Sequence, residues 1–191
     1  KGLLYNKEKV KDLSKVMAPP YDVISSEFQD ELYKRHPENI IKLILGKTSL
    51  DDKAGSDRYS RAAEDFSMWQ KQGVLSRDEK PCLYAYSQSY TPKPALSKVE
   101  RGGVETTRNG FIGTVKLEEL GKGSIHPHEK TLSGPKADRL SLMKACDANF
   151  SCIFAIYPEG KDAPRGVDAG ARKEKTIKHL LDSVVHGEPI I

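Results

Sequence analysis

The chain has 191 residues, 37% of them hydrophobic, and its 15 glycines bring that share to about 45%, the lower edge of the globular range. That composition excludes a disordered chain, and no apolar run approaches the ~20 residues of a membrane-spanning helix. Thirty-one basic residues against 27 acidic ones leave +4. The two signs alternate, as in Lys7-Glu8-Lys9 and Arg172-Lys173-Glu174-Lys175, so neither a membrane surface nor nucleic acid is the expected partner.

The chain opens at Lys1 with no signal-peptide pattern and is expected to be an incomplete or processed piece, one domain in itself. Cys82, Cys146 and Cys152 are odd in number and form no Cys-x-x-Cys pair. They read as small buried residues of a reducing cytoplasm.

Along the chain, the first 25 residues are irregular, with Pro19-Pro20 blocking helix. One X-Pro bond there is a candidate for the cis form. A helix is expected from Ser26, whose Gln29 completes a capping box, with Phe28 and Leu32 on one face and Pro37 as the stop. Ile40-Ile41-Lys42-Leu43-Ile44-Leu45, ended by Gly46, reads as a buried strand, and 47–57 as a polar loop. The clearest helix is capped by Asp57, carries Tyr59, Ala62, Ala63, Phe66 and Trp69 as a stripe, and stops at Gly73.

Residues 82–90 alternate as a strand expected to pair antiparallel with Phe111–Val115, across a mobile loop over 91–109. A third helix is expected from about Lys136, with Leu140, Leu142 and Met143 as its apolar side. Phe150 to Tyr157 reads as a strand, 159–170 as a linker, and a last helix carries Ile177, Leu180, Leu181, Val184 and Val185. The sum is an α+β chain: a mixed sheet with at least one antiparallel hairpin, packed by about four helices.

Chemistry concentrates in 126–139, His-Pro-His-Glu-Lys-Thr-Leu-Ser-Gly-Pro-Lys-Ala-Asp-Arg. Ser133 and Gly134 are placed just before a helix, whose first N–H groups and positive dipole end attract anions. Pro135 suits the first helical position. Lys130, Lys136 and Arg139 add full positive charge around it, which predicts a phosphate or carboxylate pocket. The spacing is not that of a Walker loop.

His128 and Glu129 suit acid–base work, and Asp138 can orient Arg139. His126 and His128 are the weak candidates for a metal, with Pro127 disturbing their geometry, so no metal site is expected. Tyr21 and Asp22 are held in fixed directions by the two prolines, as part of the same ligand site or as a rigid turn. Asn149 and Ser151 are expected to face that cleft.

Several segments together carry a resemblance: Gly2-Leu3-Leu4-Tyr5-Asn6, Ala18-Pro19-Pro20-Tyr21-Asp22-Val23-Ile24-Ser25, Asn39 to Gly46, Asp57-Arg58-Tyr59, Gly110-Phe111-Ile112, His126 to Arg139 and Asn149-Phe150-Ser151. In this order they resemble an uncharacterised family of bacteria and archaea catalogued as domain of unknown function ten-fifteen. The match covers most of the chain, departs from the pattern over Lys93 to Thr107 and is weak beyond Pro158. The resemblance implies a longer protein, with an Asp-Gly-His-His-Arg motif in a later half that is absent from these residues. That half is similar to ParB and sulfiredoxin-like domains, a group that includes nucleotide-dependent enzymes such as free-serine kinases.

The expected function is therefore part of a nucleotide- or phosphometabolite-dependent enzyme, kinase-like in chemistry. A small-molecule phosphate or nucleotide, with Mg, is the ligand such a site takes, and the C-terminal half of the same protein is the expected partner. The alternatives are a non-catalytic regulatory module docking a partner domain or nucleic acid, and a zinc hydrolase built on His126 and His128.

Overall fold

Local capping fixes where the chain first becomes regular. The computed structural model describes residues 1–91, 105–119, 122–123, 125–126 and 132–156. Within them the order is β1 (Leu3–Tyr5), α1 (Ser26–Arg35), α2 (Ile41–Ile44), α3 (Arg58–Lys71), β2 (Leu75–Arg77), β3 (Tyr84–Tyr90), β4 (Thr106–Ile112) and α4 (Ser133–Cys146). Single 3-10 turns lie at Leu13–Lys15 and Tyr21–Val23. The fold class is α+β. Its strands do not join one mixed sheet: β1 pairs with β2 and β3 with β4, as two separate antiparallel pairs.

The caps explain the helix boundaries. The N-cap of α1 is Ser25, whose hydroxyl accepts from the Phe28 N–H, and not Ser26. Gln29 makes no capping box; its amide reaches the Leu45 carbonyl at 2.7 Å. Asp57 caps α3 with a reciprocal Ser60 bond. Beyond Lys71, Gly73 sits at φ +69°, the left-handed conformation that glycine tolerates without steric cost. Among the described residues no peptide bond is cis, so Pro19 and Pro20 stiffen the chain in the trans form.

Two expected strands are absent. Residues 41–44 form α2, because buried Asn39 organises the backbone around itself. Its carbonyl oxygen accepts from the Ile41 N–H at 3.0 Å, and its amide donates to the Lys15 and Met17 carbonyls at 2.7 and 3.2 Å. Ile41 and Leu43 are then both buried, which so short a run, apolar except at Lys42, permits in either conformation. Residues 150–156 form no strand: they find no ladder partner among the described residues, and Ile153 and Ile156 are exposed.

Two compact units divide the chain. The first comprises Lys1–Pro81 with Leu117–Cys152. Its core gathers Val10, Val16, Leu43, Ala62, Phe66, Trp69, Val74, Leu75 and Leu142. Phe66 meets Phe150 edge to face at 5.0 Å, and Tyr5 lies beside Trp69. The expected stripe of α3 therefore faces the core. On α4 only Leu142 is buried, while Leu140 and Met143 stay exposed.

The second unit takes in Cys82–Lys116 and the chain from Ile153. Its hairpin pairs Tyr84 with Ile112 through Tyr90 with Thr106, so β4 begins earlier than alternation suggested. Cys82 and Cys152 are exposed and Cys146 half-buried, against the expectation of three buried thiols. The last expected helix, the 159–170 linker and most of the 91–109 loop lie outside the described residues. Among the described residues no helix is long and apolar enough to cross a membrane.

Asn39→Ala should cost about 1–3 kcal/mol, because it leaves buried backbone groups without partners. Asn39→Asp keeps the acceptor for Ile41 but loses the donor to both carbonyls, and should also destabilise. Trp69 is the sole tryptophan, so its fluorescence during urea unfolding reports both; wild-type stability in both variants would remove this role for Asn39.

Candidate functional site

The Asp57 cap sets the first turn of α3, and with it Arg58 and Tyr59. The Tyr59 ring packs against the core while its hydroxyl leaves it. That hydroxyl donates to Asp138 Oδ1 at 2.7 Å and accepts from Arg58 Nη2 at 2.9 Å. Arg58 Nη2 also pairs directly with Asp138 Oδ1. One carboxylate oxygen of α4 is thereby held by two side chains of α3.

The other oxygen is held from within α4. Arg139 Nε donates to Asp138 Oδ2 at 2.9 Å, and Nη2 pairs with the same oxygen. Arg139 Nη2 also donates to the Ile44 carbonyl at 2.7 Å, tying α4 to the end of α2. The Tyr21 ring covers the guanidinium, with Cζ 4.0 Å from its centroid. Burial raises the Asp138 pKa, but the hydrogen bonds from Tyr59 and Arg139 and the charges of Arg139 and Arg58 outweigh it. The net direction is downward.

Tyr21, Arg58, Tyr59, Asp138 and Arg139 thus come together from the Tyr21–Val23 turn and two helices. A small depression of about 10 Å³, room for about one water, is lined by Arg58, Tyr59, Asp138 and Arg139 together with Ile44 and Gly46. It is smaller than the ~300 Å³ at which whole-ligand pockets begin. Gly46 permits the close approach: a Cβ there would meet the Lys42 and Arg58 carbonyl oxygens, each at 3.3 Å.

The other expected site residues are distributed as follows. Ser133, Gly134 and Lys136 are exposed on the first turn of α4, which starts at Ser133, so that Pro135 is its third residue. Its N-cap, Leu132, supplies no side-chain bond, and no acidic residue lies in that turn. Asp22 is exposed and makes no described contact with the cluster. Asn149 and Ser151 form a local turn in which Asn149 accepts from the Ser151 N–H at 3.1 Å, with no described bond to the cluster.

His126 is exposed, and His128, Glu129 and Lys130 lie outside the described residues. Among the described residues no three His, Cys, Asp or Glu side chains gather as metal ligands.

Sequence reasoning missed Arg58 and the hydroxyl of Tyr59 as members of the site. Both were visible as the first residues of a capped helix, but their partner lies 80 positions away. Asp138 beside Arg139 was legible, since the two are neighbours in the chain.

The family model described as "Protein of unknown function (DUF1015)" matches residues 1–186, and the chain belongs to that family. No curated protein and no solved structure matches it.

A carboxyl whose pKa is depressed on folding stabilises the fold above its unfolded pKa of ~3.9. That contribution disappears as pH falls through the lower folded value. The urea midpoint should therefore fall further between pH 7 and the pH range below 3.9 for the natural chain than for Asp138→Asn. Parallel pH profiles for the two would show that Asp138 does not anchor the cluster through its charge.

Proposed function

We propose that the chain is the phosphate-gripping part of a nucleotide- or phosphometabolite-dependent enzyme, with the ligand's phosphate at the first turn of α4. The observation that carries this reading is the open end of that helix. Leu132 leaves its N–H groups without a side-chain cap, Ser133 and Gly134 are exposed, and Lys136 stands beside them. By contrast α1 and α3 close their ends with Ser25 and Asp57. N–H groups that no side chain among the described residues caps, a positive dipole end and a lysine together favour an anion.

The roles divide by position. Lys136 and the backbone at Ser133 and Gly134 hold the phosphate, with Lys130 adding charge. Arg139 adds positive charge from further along the helix, oriented by Asp138 and covered on its guanidinium face by Tyr21. His128 and Glu129 supply proton transfer. Phosphoryl transfer demands mainly positioning and neutralisation of charge, which this set of side chains provides. A nucleotide with Mg is the cofactor class that fits such a reaction, and a further part of the same protein is the partner that completes the site.

Inorganic phosphate, ADP and ATP, each with and without Mg²⁺, should raise the melting temperature of the chain by mass action. Ser133→Asp places a carboxylate at the helix end. It should stabilise the free protein by about 0.3–1 kcal/mol while removing the response to phosphate. A chain that none of these ligands stabilises, or a Ser133→Asp variant that responds as the natural one does, would overturn the reading.

A further inference from the structure

The Arg58–Asp138–Arg139 cluster holds more donors than its own carboxylate satisfies. Two guanidiniums share a single carboxylate by direct contact, with Asp57 acting on Arg58 at longer range. Arg58 engages only Nη2 among the described residues, so its Nε–H and both Nη1 hydrogens have no acceptor there. Arg139 uses Nε and Nη2, and its Nη1 is buried with no partner among the described residues. Native proteins rarely leave a buried donor unpaired, and a water or an ion is the usual occupant.

We propose that Arg58 and Arg139 form an oxyanion subsite, with Asp138 as internal counterion and a ligand phosphate or carboxylate accepting from the guanidinium N–H groups that Asp138 leaves unengaged. This deepens the reading above and shares with it the oxyanion and Arg139, but it brings in Arg58 in place of the helix end. The depression beside the pair has room for about one water, so an oxyanion meets these guanidiniums from the solvent side, not inside a cavity. Geometry selects the mode of binding. Guanidinium groups recognise oxyanions in their own plane, along N–H edges.

Tyr21 occupies the face of Arg139 and therefore does not compete for those edges. Asp138 holds both guanidiniums in fixed orientations, so the ligand meets donors that are already aligned. Both side chains reach solvent, Arg58 at 28% exposed and Arg139 at 20%.

Inorganic phosphate, titrated calorimetrically into the full chain, separates this subsite from the helix end. Arg58→Lys keeps the charge but loses the planar edge, and should weaken phosphate binding roughly tenfold or more. A folded Arg58→Lys chain, by circular dichroism, that binds phosphate as the natural one does overturns the subsite. Loss of binding in Ser133→Asp alone leaves the helix end and removes the subsite. Loss in Arg58→Lys alone does the reverse, and loss in both assigns one ligand to both places.

The natural chain offers a readout that needs no variant to fold. In ¹H–¹⁵N spectra the Arg58 Nε–H resonance should move with phosphate and saturate with the calorimetric isotherm. A stationary Arg58 resonance overturns the proposal.

Discussion

The Asp138 carboxylate is the point through which the rest of the first unit is connected. It receives Arg58 and Tyr59 from α3 on one oxygen and Arg139 from its own helix on the other. Through Arg139 it also fixes the end of α2 and the Tyr21 turn. Removing one partner of such a part-buried group is more costly than the pair is stabilising, because the remaining charges stay desolvated and unpaired. The core beneath supplies cohesion through Trp69, Phe66 and Leu142. The carboxylate supplies register, since it fixes how α4 is turned on α3.

Asn39 does for the N-terminal segment what Asp138 does for the helices. A fully buried amide with three hydrogen bonds gathers the backbone at Lys15, Met17 and Ile41. That arrangement delivers the Ile44 carbonyl and Gly46 to the edge of α3, where Arg139 and Arg58 meet them. The position of the candidate site therefore follows from a buried polar residue well away from it in sequence. Neither a capped helix nor an apolar stripe alone would bring these groups together.

Legibility in the sequence follows the range of the interaction that decides each feature. The α1 and α3 helices were readable because capping and periodicity act within a few residues, although the cap of α1 fell on Ser25 and not Ser26. The run at 40–45 reads as a strand because five apolar residues around Lys42 set no clear period, and the deciding contacts come from Asn39 to residues 22 and 24 positions earlier. Phe150 was taken for a strand residue because it is apolar, yet it packs as a single ring on Phe66.

The hairpin was visible from alternation, but its register was not, since pairing is fixed by the partner strand. At the site, the adjacency of Asp138 and Arg139 was plain. Arg58 and Tyr59 were not, because 80 and 79 residues separate them from the carboxylate they share.

An internal carboxylate within a proposed oxyanion site looks at first like a competitor for the ligand. Its effect is the opposite while one negative charge faces two positive ones. Without Asp138 the two guanidiniums would repel each other across a part-buried space, and aligning them would cost the ligand free energy on binding. With Asp138 in place, that cost is met in folding, and the free guanidinium edges stay aligned for an anion. The net charge of +4 over the whole chain is thus a weaker guide to function than where single charges sit. Where α3 and α4 share one carboxylate, that carboxylate aligns guanidinium N–H groups which it does not itself engage.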